Sequence, residues 1–370
     1  MARKLRVQPE DVCFHVVTRI AHKEFFFDAD EKDIVFGLIR AAEAFSCVKV
    51  IAFCVMSNHL HLLIAIDKPA NLRLWESWQL YIGYDFEAIK EGNLYRVGTL
   101  STMTQEDVDE VRKCESMSLF DRYETTKDEL VARIKHVMRE KPFDELMQSW
   151  SKLPENRLQA EYERFLLRMY SLSEFMKTLK QNISQYYNIR HKHTGGLWEG
   201  RFKDTIIERS VEAMSSVATY IDLNPWRAKM CENPSEYKWS SYGKAVAGDE
   251  ISRSGYNFIY DTADAWPEVN ETHWQQLENK MAADSPEQAE IEEAVFTSGT
   301  SIGSEPFIRR LIDSEEEVFP TGHKTAPVNF MPGNRNLKTL RNLQVLRKRK
   351  SVHASMGSDP MEAKRHERLL

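Results

Sequence analysis

The chain has 370 residues, 42% of them hydrophobic, enough for one sizeable core with material left for a second module. A formal net charge of −6 lacks the basic excess that nucleic-acid binders commonly use to offset phosphate, so bulk charge alone names no such partner. Five scattered cysteines (Cys13, Cys47, Cys54, Cys114, Cys231) exclude a disulfide framework and a thiolate zinc site, and no apolar run of about 18 residues occurs, so reduced thiols, a cytoplasmic location and no membrane contact are expected.

Val12 to Thr18 is β-branched and aromatic and predicts a strand; Asp33 to Phe45 has apolar residues at helical spacing. Val48–Met56 and His59–Ile66 are apolar runs separated by the turn Ser57-Asn58, which predicts a β-hairpin. After Asp67-Lys68-Pro69 about a hundred residues turn charged, glycine-poor and helical, as in Lys127–Arg139 and Asn156–Tyr170. This predicts a helical insertion over 70–169.

From Ser173 to Asn188 the positions Phe175, Met176, Leu179, Ile183 and Tyr187 repeat as one helical face, which Gly195-Gly196 should end. Leu197–Ile207 reads as a strand, and Ser210 as the N-cap of a helix through Leu223. Asn224-Pro225 should end or kink that helix, because a residue before proline is pushed out of helical geometry.

Beyond Gly248 aromatic strand signals fade and acidic, Ser/Gly-containing stretches appear, predicting a boundary there. The organisation expected is a catalytic core over 1–69 and 170–247 interrupted by the insertion, a mixed helical extension over 248–333, and a basic tail over 334–370. Within the extension, Gly299–Leu311 has the turn-then-helix pattern of a small DNA-binding unit. From Arg335 onward ten Lys/Arg stand against three Asp/Glu, a local charge of about +7 that suits a phosphate-binding arm.

The chemistry concentrates at Asn58-His59-Leu60-His61. Strand alternation puts both imidazoles on one face, close enough to share a cation. Paired histidines can equally be satisfied polar residues at a sheet edge, and the pair by itself leaves both open. Tyr220 shares a helical face with Asn224, four residues on, if the helix persists that far. A phenol beside a bound phosphate can be a nucleophile; alone, the same tyrosine is an ordinary core residue. Tyr186 and Tyr187 compete for that role, but neither stands four residues before a candidate ligand.

Four motifs follow in order: Met56-Ser57-Asn58-His59-Leu60-His61-Leu62-Leu63, Gly196-Leu197-Trp198-Glu199-Gly200-Arg201-Phe202, Tyr220-Ile221-Asp222-Leu223-Asn224-Pro225-Trp226-Arg227-Ala228, and Tyr237-Lys238-Trp239-Ser240-Ser241-Tyr242. This series resembles the IS200-like Y1 transposases, most closely the REP-associated tyrosine transposases, over Val12 to Ala245 apart from the insertion. The resemblance implies an α+β fold with a ferredoxin-like antiparallel sheet carrying the histidine pair and packed helices. It also implies that His59, His61 and Asn224 are ligands of one Mg²⁺ or Mn²⁺ and that Tyr220 is the nucleophile.

The implied substrate is single-stranded or hairpin DNA, cut and rejoined through a 5′-phosphotyrosine. Lys177, Lys180, Arg190, Lys192, Arg201, Lys203 and Arg227 are the cations available to track its backbone, and solvated surface is the alternative for each. The competing class is a domesticated binder that keeps hairpin recognition without strand transfer, and the pattern leaves monomer and homodimer both open. The insertion and the C-terminal extension exceed the compact members of the family.

Overall fold

The computed structural model describes residues 12–21, 27–76, 117–298, 301–318, 327–331 and 334–340. In chain order the elements begin with β1 (Val12–Arg19), α1 (Ala29–Ser46), β2 (Lys49–Val55) and β3 (His59–Ala65). Next are the helices α2 (Leu119–Arg122), α3 (Lys127–Val137), α4 (Glu140–Trp150), α5 (Glu155–Leu166) and α6 (Leu172–His191). Then come β4 (Lys203–Glu208), α7 (Val211–Arg227), α8 (Ser241–Val246), α9 (Glu250–Tyr260), α10 (Trp266–Ala283) and α11 (Pro286–Ser298). The described chain ends with β5 (Ser301–Ser304), α12 (Glu305–Val318), β6 (Pro327–Met331) and β7 (Asn334–Leu340). Among the described residues, no helix is long and apolar enough to cross a membrane.

These elements fall into two compact units. One takes the described residues up to Lys32, Val50–Ala65, and those from Gly196 on; the other takes Asp33–Lys49 and the described residues of Ile66–Gly195.

The first unit is α+β. Its sheet runs β2-β3-β1-β4-β5-β7-β6, with β1 antiparallel to both β3 and β4. Its strands β2-β3-β1-β4 follow the strand order of a ferredoxin-like split βαβ sheet. β1 is buried along seven of its eight residues because it lies between two strands and both its faces are covered. This is why its sequence is nearly unbroken apolar rather than alternating.

The C-terminal segment belongs to this same unit, which corrects the boundary expected at Gly248. β5 continues the sheet, pairing parallel with β4 through Ile206–Ser301 and Ile207–Ile302. Tyr256, Ile259, Val269, Leu277, Val295 and Phe296 join one core with Ile51, Leu63, Val217 and Ile221. Composition hid this because the stretch is acidic on average, although Val269, Leu277, Val295 and Phe296 within it are buried. α9 also approaches β2 so closely that a Cβ on Gly255 would overlap the Ile51 carbonyl oxygen; only glycine permits the contact.

Two further expectations change. Ser301–Ser304 is a strand leading into α12, not the turn of a helical DNA-binding unit; Gly299 and Thr300 lie outside the described residues. Arg335 and Lys338, assigned by charge to the tail, belong to β7, which pairs with β5 and β6; residues from 341 on lie outside the described chain. The strand expected over Leu197–Ile207 is regular only from Lys203, with Trp198 making a single bridge to Ile20.

α7 begins where expected: the Ser210 side chain accepts the Ala213 N–H as an N-cap. It does not end at Asn224-Pro225 but continues to Arg227. Proline brings no N–H to the Ile221 carbonyl, and the Asn224 side chain supplies one instead. Asn224 Nδ2 donates to Tyr220 O at 2.8 Å and to Ile221 O at 3.3 Å. The helix is thus repaired at the atom where proline would break it.

The second unit is helical where described. Leu130, Ile134, Trp150, Tyr162, Phe165, Leu166 and Met169 form its core with Phe45 and Leu72. Trp150 meets Tyr162 and Phe165 edge-on, with ring centroids 5.1 and 5.6 Å apart. α3 opens with a reciprocal capping box between Thr126 and Glu129, and α6 with the Ser171 side chain on the Glu174 N–H. α6 stops at Lys192, whose left-handed φ of 50° closes the helix before the glycines expected to do so.

Candidate active site

Register across the sheet gathers the site on one face. Val17 stands opposite both His61 and Lys203, His15 opposite Leu63 and Thr205, and Arg19 opposite His59. Since directly opposed residues point the same way, His15, Arg19, His59 and His61 share a face. α7 packs on that side through β3 and β4, bringing Tyr220 to the histidines.

The hydrogen bonds fix the tautomer of each ring. His15 Nδ1 lies 3.1 Å from the Phe296 carbonyl oxygen, which only accepts, so Nδ1 carries the proton. His15 Nε2 is then an acceptor and takes the Nδ1–H of His61 at 3.2 Å. This leaves the His61 Nε2 with a lone pair. His59 reaches the same state separately, donating Nδ1–H to Asn58 Oδ1 at 2.6 Å. Both members of the expected pair therefore hold an unprotonated Nε2, with the ring turned by a partner on the opposite nitrogen.

Burial reinforces this state. It lowers His15 to about 4, while the bond to Phe296 opposes the shift. Burial, then Arg19, lowers His59 to about 4. His61 falls well below the usual imidazole range through burial first, and then because a proton on it would be repelled by His59, His15 and Arg19. All three are neutral at pH 7, the form that can donate a lone pair.

The Tyr220 ring lies 5.7 Å from that of His61 and 5.8 Å from that of His15, edge-on to both. Phe296 of α11 stacks on it at 4.2 Å and 22°, leaving Tyr220 5% exposed. Burial, followed by Glu293, raises its hydroxyl above the usual phenol range; Arg227 and Arg19 pull it back, and Glu292 adds to the rise. The phenol is protonated at neutral pH.

A divalent ion needs more than two imidazoles. Among the described residues no group of three His, Cys, Asp or Glu is arranged to hold one. Asn224 offers a neutral oxygen on the same helix as Tyr220: its nitrogen is committed to the helix carbonyls, so Oδ1 is the end that remains for other partners. Two imidazoles and an amide oxygen, without thiolate, fit a hard or borderline divalent ion.

The expected backbone-tracking cations divide between the units. Lys177, Lys180, Arg190 and Lys192 belong to the helical unit: Lys177 pairs with Glu174 at 3.0 Å, Arg190 donates to the Tyr186 hydroxyl at 2.8 Å, and Lys192 is exposed. Lys180 is half-buried, and burial lowers its pKa. Arg201 and Lys203 are exposed beside β4 in the sheet unit. Arg227 is the one brought against the site, its guanidinium 5.8 Å from the Tyr220 ring centroid.

A second polar cluster occupies another side of α7. Asp222, fully buried, accepts from the Tyr256 hydroxyl at 2.7 Å, His273 Nε2 at 3.0 Å and the Ser241 hydroxyl at 3.3 Å. The Tyr260 hydroxyl lies 2.8 Å from His273 Nδ1, and Tyr242 covers the His273 ring at 5.1 Å. This network ties α9 and α10 to α7.

Sequence reading missed His15, Arg19, Phe296, Glu292 and Glu293. His15 did leave a trace, since a histidine inside an apolar central strand needs a partner. The others are visible only through long-range packing.

No family model matches this chain, and no curated protein matches it. A solved structure of a REP-associated tyrosine transposase bound to a REP hairpin overlaps 67% of this chain and 87% of its own, at 10% sequence identity and a TM-score of 0.34. At that level the overlap carries no weight, and the reading below rests on the motifs and the geometry.

Proposed function

We propose that this chain is a tyrosine-nucleophile transesterase, and more particularly one that cuts and rejoins single-stranded, hairpin-containing DNA. The observation that carries the reading is the pair His59 and His61, each with Nδ1–H engaged and Nε2 unprotonated, beside Tyr220. The order of the four sequence motifs supports the same chemistry.

His59, His61 and Asn224 would hold one Mg²⁺ or Mn²⁺, which when bound draws charge from a phosphate and helps align it. The chain's own part is to present nucleophile and phosphate together. The Tyr220 oxygen forms a bond to phosphorus as the bond to the 3′-oxygen breaks. The phenol loses its proton and the departing 3′-oxygen gains one, leaving a 5′-phosphotyrosine and a 3′-hydroxyl. A 3′-hydroxyl reverses the exchange, so joining needs no nucleotide cofactor.

A second reading has one observation in its favour: Tyr220 is covered by Phe296. A binder that recognises hairpins without strand transfer would keep its tyrosine so covered.

The test is incubation of the full chain with labelled hairpin DNA and Mg²⁺ or Mn²⁺, analysed on a denaturing gel. The expected result is a metal-dependent protein–DNA adduct in wild type and none in Tyr220→Phe, the largest effect of any substitution considered. Hairpin binding without an adduct in either protein would establish the binder instead.

A further inference from the structure

Two arginines converge on the candidate site, and both are held by carboxylates of the same helix. Arg19 leaves β1 opposite His59, and its Nη2 pairs with Glu293 at 3.3 Å. Arg227, about two turns beyond Tyr220 on α7, pairs through Nη2 with Glu292 at 2.7 Å and with Asp284 at 2.9 Å. Glu292 and Glu293 are neighbours on α11, the helix that also lays Phe296 on Tyr220.

The two ion pairs differ in kind. Arg19–Glu293 is open to solvent, with side chains 41% and 59% exposed, and contributes little to stability. Arg227–Glu292 is nearly closed, with the Glu292 side chain 2% exposed and also held by Lys280 at 2.6 Å. Even so, Arg227 Nη1 is buried and has no hydrogen-bond partner among the described residues. Nε and Nη2 are engaged by Asp284 and Glu292, so Nη1 is the donor left over for a phosphate oxygen, and a phosphate that replaced the carboxylates would find the whole fork. Arg227 also lines a cavity of about 850 Å³ with Trp226, Lys229 and Asp284.

We propose that Arg19 and Arg227 are the clamp for the DNA phosphate presented to Tyr220, and that Glu293 and Glu292 occupy the clamp as phosphate substitutes until DNA displaces them. The proposal rests on the transesterase reading and adds the residues that bind its substrate. Carboxylate and phosphate both accept paired N–H donors from arginine, so the exchange breaks one set of charge-assisted bonds and makes another. Repulsion between the strand and the two glutamates turns the same helix from occupant to competitor as DNA arrives.

The experiment measures binding of a short fluorescein-labelled single-stranded oligonucleotide by anisotropy over a salt series, alongside adduct formation, for the full chain. Glu293→Gln frees the exposed half of the clamp and should tighten binding severalfold and speed adduct formation. Glu290→Gln, an exposed acid on the same helix, removes an equal charge away from the clamp and should change binding far less. Arg19→Gln should weaken binding and lower the salt slope by about one. Arg227→Lys keeps the charge but loses the fork, so adduct formation should fall further than affinity. Thermal melting of each variant separates lost folding from lost binding.

Equal effects of Glu293→Gln and Glu290→Gln, or wild-type affinity and slope in Arg19→Gln, would overturn the clamp. The two readings fail separately. An adduct in wild type with neither Glu293→Gln nor Arg19→Gln changing binding removes the clamp and keeps the transesterase. Tighter binding by Glu293→Gln with no adduct in any protein keeps the clamp and removes the transesterase.

Discussion

Two histidine–tyrosine clusters are built on α7, two residues apart at their centres, and they use the same side-chain types to opposite ends. Around Asp222, the carboxylate has donors on both oxygens and His273 has a partner on each nitrogen. Around Tyr220, every histidine has its Nδ1 satisfied while His59 and His61 retain a lone pair on Nε2, and Arg227 has an unmatched nitrogen. A buried polar network that closes on itself serves the fold; one that leaves donor and acceptor atoms over has capacity for a ligand.

The sharpest way to break this comparison is to remove one residue from each cluster. Asp222→Ala strands His273, Tyr256 and Ser241 in a dry interior and should cost about 3–5 kcal/mol, measured by chemical denaturation. His59→Ala, which removes a partly buried ring with one bond to its neighbour Asn58, should cost no more than about 1 kcal/mol. Equal losses would mean that the histidine pair is structural as well.

Acid provides a second, somewhat smaller test. His15 has a folded pKa of about 4 against an ordinary 6.5. The unfolded chain therefore binds the proton first as pH falls. The stability linked to a neutral His15 is complete above about 6.5, declines through the interval, and is lost by about 4, a change of about 3 kcal/mol. Denaturation midpoints followed from pH 7 to 4 should show this slope, and His15→Gln should flatten it. An unchanged slope in the variant would remove His15 as its source.

The smallest expected effect concerns the link between the clusters. Asn224→Ala withdraws the donor that replaces the missing proline N–H and should cost about 1 kcal/mol of thermal stability. The change should reverse in the double variant Asn224→Ala, Pro225→Ala, where the backbone recovers its own donor. If the double variant is no more stable than Asn224→Ala, the side chain is not mending the helix.

The sequence made some of this legible for local reasons. Alternation within β3 is enough to align His59 with His61, and Ser210 announces α7 by its own chemistry. The hairpin β2–β3 is likewise written in two apolar runs around Ser57-Asn58. His15 acquires meaning only when β1 pairs with β3 in one particular register, information no single segment contains. Phe296, Glu292 and Glu293 were lost for a different reason. They lie in a stretch whose average composition is acidic, and averaging conceals that Val295 and Phe296 point into the same core as β1. The continuation of α7 past Pro225 was missed because backbone preference argued for a stop, while a single side-chain amide reversed the outcome.

That amide has a consequence for how a ligand would be received. An asparagine on a helix surface normally samples several rotamers, and ordering it on binding costs entropy that weakens affinity. Here the freezing has already occurred during folding, because Nδ2 is held by two backbone carbonyls and Oδ1 is turned away from them by the same bonds. If Oδ1 receives a cation, it does so as a preset donor whose orientational entropy was surrendered when α7 formed, and the proline that appeared to interrupt the helix is what makes that presetting necessary.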